Sequence, residues 1–102
     1  MAHRLAPQAR AELISIWNYI FKESGSAVAA DSVIDAITER FYLLSQFPRM
    51  GRPRADLRPG LRSFPVGQYV IIYTIEGADV EILHVFHGRQ DIDGRLGQSR
   101  LP

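Results

Sequence analysis

The chain has 102 residues, 46% of them apolar and 23% charged, and no cysteine. That length suits one compact domain and leaves no room for a second, while the apolar share is enough to offset ordering entropy and argues against wholesale disorder. Without cysteine there is neither a disulfide framework nor a thiolate zinc site, so a cytoplasmic, reducing setting is expected. The segment around Met1–Arg4 has no apolar run long enough for a signal peptide or a membrane span.

The net charge of +1 is unevenly spread. Residues 1–48 sum to −1 and residues 64–102 to −2, whereas residues 49–63 carry Arg49, Arg52, Arg54, Arg58 and Arg62 against Asp56 alone. An anionic partner is expected to find that short segment.

In chain order, residues 2–5 form a weak strand or an extended lead-in. Pro7 suits the first position of a helix, where its missing N–H has no partner to lose. Ala6 is a poor cap before it, forgoing about 1 kcal/mol relative to Ser or Asp. Ala9, Leu13, Ile16, Trp17 and Ile20 then recur three or four apart and give the helix one apolar face. Gly25 closes it and Ser26 caps the next.

The second helix places Ala30, Ile34, Ile37, Phe41 and Leu44 on one stripe, with Asp31, Asp35 and Glu39 facing water. Pro48 stops it, and the short link through Gly25 predicts an antiparallel helical hairpin. Residues 48–60, with Pro48, Gly51, Pro53, Pro59 and Gly60 among the arginines, read as a basic loop. Three β-prone runs follow, Leu61–Pro65, Tyr69–Ile75 and Val80–His87, joined by turns at Gly67 and Gly77 into an antiparallel meander. In the last run Val80, Ile82, His84 and Phe86 are expected on one face. The order strand, helix, helix, strand, strand, strand defines an α+β domain over residues 1–93, with the hairpin on one sheet face and the other partly open. Residues 94–102 read as a polar tail.

Among candidate functional groups the arginine loop is the strongest, because Pro and Gly hold its guanidiniums as rigid forks for carboxylates or phosphates. Trp17, Tyr19, Ile20 and Phe21 surround much of the first helix with bulk, more than one buried stripe needs, so part of that girdle is a candidate groove for a partner. His84 and His87, three apart on a strand, point to opposite faces and are not expected to share a metal. A general acid or base role for His87 rests only on histidine titrating near neutrality. The carboxylates Asp31, Asp35 and Glu39 read as a solvated face, and no phosphate loop, nucleophile elbow or metal motif is present.

Taken together, the blocks Leu5-Ala6-Pro7-Gln8-Ala9, Ile16-Trp17-Asn18-Tyr19-Ile20, Phe47-Pro48-Arg49-Met50-Gly51-Arg52, Gly60-Leu61-Arg62-Ser63-Phe64-Pro65-Val66-Gly67 and His87-Gly88-Arg89-Gln90-Asp91 resemble the ParE branch of the ParE/RelE toxins. The resemblance runs from about Leu5 to Asp91 and departs from the usual Ser at Ala6. It implies a helical hairpin on a small antiparallel sheet, and a toxin neutralised by a ParD-like antitoxin whose own N-terminal domain binds operator DNA. It also implies inhibition of DNA gyrase, with no cofactor and no catalytic residue. The antitoxin is expected to grip Arg52, Arg54, Arg58 and Arg62 with carboxylates and Trp17, Ile20 and Phe21 with an amphipathic helix. His87 and Arg89 are expected to meet the target. The alternative is the RelE-like chemistry of ribosome-dependent mRNA cleavage, using His87, Arg89 and Arg62. Against it, Val70 stands where such a nuclease carries an arginine, and no tyrosine follows Arg89.

Overall fold

A computed structural model describes residues 2–88. The elements are β1 (His3–Leu5), α1 (Pro7–Ser24), α2 (Ala27–Gln46), a 3₁₀ turn (Pro48–Met50), β2 (Arg52–Pro53), β3 (Arg62–Val66), β4 (Tyr69–Glu76) and β5 (Asp79–His87). The expected α+β class is what the structure shows: a helical hairpin on one face of a single sheet, ordered β1-β5-β4-β3-β2. The expected boundary at residue 93 and the tail 94–102 lie outside the described residues.

Local chemistry sets the helix limits. Pro7 opens α1 with no side-chain cap from Ala6, and Gly25 closes it at φ 69°, a left-handed position that costs glycine no Cβ clash. The Gly25 N–H donates to the Phe21 carbonyl at 2.7 Å. Ser26 caps α2 by accepting from the Ala29 N–H at 3.1 Å. The predicted stripe of α2 is the core seam: Ala30, Ile37, Phe41 and Leu44 are buried and Ile34 is half-buried against them. They meet Ala9 and Leu13 of α1 and Ile71, Tyr73, Val80, Ile82 and Val85 of the sheet.

The sheet differs from expectation in three ways. First, β1 joins β5 in parallel, pairing His3 with Val80 and Leu5 with Ile82, so the meander gains a non-local edge. Second, Ile72 pairs with His84 but Tyr73 with Ile82, which leaves Leu83 as the extra residue of a β-bulge. The bulge resets the alternation. Val80, Ile82 and Val85 face the helices, while Phe86 packs on the opposite face and His84 stacks on it at 4.8 Å, correcting the expected single face of Val80, Ile82, His84 and Phe86.

Third, the basic segment is more ordered than a plain loop. It contains the 3₁₀ turn, and β2 pairs with β3 as an edge strand, where Pro53 is tolerated. The rest of the segment crosses the far face of the sheet. Leu57 and Leu61, 1% and 4% exposed, pack there on Ile72 and Phe86, so much of the face expected to lie open is covered.

Candidate functional site: three surfaces around one sheet

The arginine segment is tied down from the core. Tyr73, fully buried on β4, donates its hydroxyl hydrogen to the Pro48 carbonyl at 2.6 Å and accepts from the Gly51 N–H at 2.9 Å. The ring lies so close to Gly51 that a Cβ there would fall on the phenol, so the close approach, and no unusual φ, requires glycine. Burial raises the Tyr73 pKa above the ordinary tyrosine value, opposed by the Gly51 N–H and the nearby Arg62 charge. The hydroxyl therefore stays protonated as a donor near neutrality.

The arginines of this segment fall into two groups. Arg62 Nη1 donates to the Gly51 carbonyl at 2.7 Å and reaches the Arg49 carbonyl at 3.4 Å, which makes it a strut of the turn. Arg54 grips Asp56 through Nε and Nη2, both at 3.0 Å, and this hydrogen bond holds the Asp56 carboxyl below its usual range. Arg49, Arg52 and Arg58 are exposed. Of the four arginines expected to hold a partner, Arg52 and Arg58 point outward, while Arg54 and Arg62 serve the loop itself.

The second surface is the Trp17 end of the hairpin. The Trp17 indole N–H donates to Asp31 Oδ1 at 2.8 Å and the ring stacks on Phe21 at 5.2 Å and 15°. Trp17 and Ile20 are half-buried, whereas Phe21 is 44% exposed, and Ile14 of α1 and Val28 of α2 are exposed as well. The expected girdle is thus part core and part open apolar face. Asp31, expected to be merely solvated, fixes the Trp17 rotamer.

The third surface is a groove between α1 and the end of β5, lined by Gln8, Glu12, Ile16, Tyr19, Tyr69 and His87. His87 meets the Tyr69 ring edge-on at 5.3 Å, and burial raises the Tyr69 phenol, with Tyr19 adding to the shift. His84 lies on the opposite side of the strand, so the two histidines do diverge. Arg89, the other expected target contact, lies outside the described residues.

Glu12 was missed by sequence reasoning. β1 covers the outer edge of β5 only as far as Ile82, and beyond it the Glu12 carboxylate accepts from the Val85 N–H at 2.8 Å and meets His84 Nδ1 at 3.1 Å. A side chain of α1 thereby finishes the strand edge where β1 ends. A signal did exist: Glu12 stands three after Ala9 and four before Ile16, inside the apolar stripe. For the Tyr73–Gly51 contact, between residues 22 apart in sequence, there was none.

Among the described residues, no cluster of three or more His, Asp or Glu side chains is placed to hold a metal, and no helix is long and apolar enough to cross a membrane.

Comparison with known proteins agrees with this architecture. Residues 4–92 match the family model of the ParE toxin of the type II toxin-antitoxin system parDE. Among curated proteins, the chain is 41% identical to Toxin ParE3 of Caulobacter vibrioides over 77 residues, covering 76% of this chain and 77% of that protein. It is 33% identical to Toxin ParE1 of the same organism over 95 residues, covering 93% and 97%. Among solved structures, a chain of a chromosomal ParDE system from P. aeruginosa superposes with a TM-score of 0.75 at 21% identity, covering 85% of this chain and 95% of that one. A chain of the Mycobacterium tuberculosis RelBE2 toxin-antitoxin complex gives 0.66 at 26% identity, covering 84% and 95%. The chain belongs to the ParE toxin family of type II toxin-antitoxin systems.

Proposed function

We propose that this toxin acts in the cytoplasm by binding and inhibiting DNA gyrase without chemistry of its own, and that a ParD-like antitoxin neutralises it and alone contacts operator DNA. Membership of the ParE family supports the target. The observation that carries the non-enzymatic reading is the far face of the sheet, where Leu57 and Leu61 pack on Ile72 and Phe86. RNA cleavage by 2′-hydroxyl attack needs a base, a phosphate ligand and an acid converging on one surface. His84 and His87 diverge, Arg62 is engaged by backbone carbonyls, and the far-face strand positions offer Val70 and Ile72.

An antitoxin reaching both the Trp17 end and the arginine segment must span the length of α2. From Asp31 to Pro48 that is about 26 Å at 1.5 Å per residue. An extended or helical wrapping segment of fewer than about twenty residues meets this demand.

The test is a supercoiling assay beside a ribosome-bound mRNA assay. Purified toxin is expected to block gyrase-dependent supercoiling and leave the mRNA intact, and His87→Ala is expected to keep most of the toxicity. Cleavage in the ribosomal A site, abolished by His87→Ala, would replace this reading with the nuclease one.

A further inference from the structure

The 3₁₀ turn after α2 presents apolar side chains to water from a backbone that is fixed on both sides. Phe47 is 57% exposed and Met50 40%, and with Ile75 they form a cleft against the β4–β5 turn. Yet the Pro48 carbonyl and the Gly51 N–H are both held by the buried Tyr73 hydroxyl, and Arg62 holds the Gly51 carbonyl. The Phe47 N–H continues the helix ladder to Leu43 at 2.9 Å, and the Met50 N–H closes the turn on Phe47 at 3.0 Å. Exposed apolar groups on a rigid frame are arranged for docking, because the ordering that binding otherwise requires is already in place. Met50, unbranched and polarisable, adapts the cleft to the side chain it receives.

Charge selects the occupant. Arg49 lines the cleft, and Arg52 and Arg58 stand exposed in the same segment, whose single acid, Asp56, is held by Arg54. A second copy of this chain would bring like guanidiniums together, whereas an acidic segment matches them. The cleft is also continuous, through Arg49, with the arginines to which the antitoxin is assigned above. It is separate from the groove at the other end of the sheet: Tyr69 lines that groove and Ile75 this cleft, six residues apart on β4, roughly 20 Å at 3.3 Å per residue.

We infer that the acidic part of the antitoxin seats a large apolar side chain between Phe47, Met50 and Ile75 while its carboxylates engage Arg49 and Arg52. The inference rests on the antitoxin reading above and adds the anchor point, which the charges alone do not supply.

The experiment uses the full-length toxin carrying Phe47→Ser and Met50→Ser, both at exposed positions, titrated calorimetrically with the antitoxin encoded beside it. A melting temperature within about 3 °C of wild type establishes that the fold is intact. The Kd is expected to rise about 100-fold, the order of magnitude for losing two apolar contacts at a buried anchor. A Kd within twofold of wild type overturns the inference while leaving the antitoxin reading standing. Wild-type toxin that fails to bind the neighbouring gene product sinks that reading, and this inference with it. Loss of gyrase inhibition at unchanged antitoxin affinity makes the cleft a target surface, and loss of a wild-type self-association makes it a contact between copies; either result overturns the assignment.

Discussion

Replacing Tyr73 by Phe keeps the ring and removes one oxygen. Two backbone groups lose their partner: the buried Gly51 N–H and the carbonyl of half-buried Pro48. A buried donor left unsatisfied costs about 1–3 kcal/mol, and a carbonyl able to turn toward water costs less, so the pair is expected to cost about 3 kcal/mol. A domain of this size shifts by roughly 4–8 °C per kcal/mol, which puts the fall in melting temperature at about 12–24 °C. Thermal denaturation followed by circular dichroism reads the loss, and hydrogen exchange at the Gly51 amide reads its place. Gly51→Ala perturbs the same contact by driving a Cβ into the phenol, with an expected cost of about 1–3 kcal/mol or more. Because both changes break one contact, the double variant is expected to lose less than the two single losses together. A Tyr73→Phe protein melting within about 3 °C of wild type, with Gly51 still protected, would falsify the account of how the arginine segment is held.

The remaining predictions are briefer. Phe41→Ala, at a position 1% exposed on the seam of α2, is expected to cost about 3–5 kcal/mol in urea denaturation, and a loss below about 1 kcal/mol is incompatible with its burial. Glu12→Ala leaves the Val85 N–H without its acceptor and is expected to cost about 1–3 kcal/mol, with faster exchange at that amide; unchanged exchange refutes the edge role. Burial raises the Tyr73 and Tyr69 phenols, so the unfolded chain ionises these groups first. Their contribution is complete below about pH 10 and is lost as pH rises through the higher folded values, so the urea midpoint is expected to fall on that alkaline limb, less steeply in Tyr73→Phe. Arg52→Ala with Arg58→Ala is expected to weaken antitoxin binding most at low salt and to flatten its salt dependence, and equal affinity at low salt removes these two residues from the interface.

How far the sequence spoke for the structure depends on the range over which each feature is encoded. The α2 seam was legible because spacings of three and four are local, and Gly25 and Ser26 mark the helix junction with residues whose chemistry serves little else. The faces of β5 were legible only as far as Ile82. Beyond it the bulge at Leu83 changes the phase, and a strict period of two carries no sign of an inserted residue. Leu57 read as an incidental apolar residue of the loop and Leu61 as the start of a strand, and neither position betrays its packing, since their partners Ile72 and Phe86 lie on strands still to come in the chain. The arginine segment was recognised by composition, but its division into outward Arg52 and Arg58 and inward Arg54 and Arg62 depends on where carbonyls and Asp56 sit in space.

The parallel pairing of β1 with β5 joins residues 77 apart, His3 with Val80. While the polypeptide is being synthesised, the helical hairpin emerges with its seam uncovered, and no local rearrangement supplies the strands that cover it. The sheet closes only after residues 79–87 have left the ribosome, so the groove between α1 and β5 and the seat of Leu57 and Leu61 on Phe86 are completed together, later than the hairpin itself.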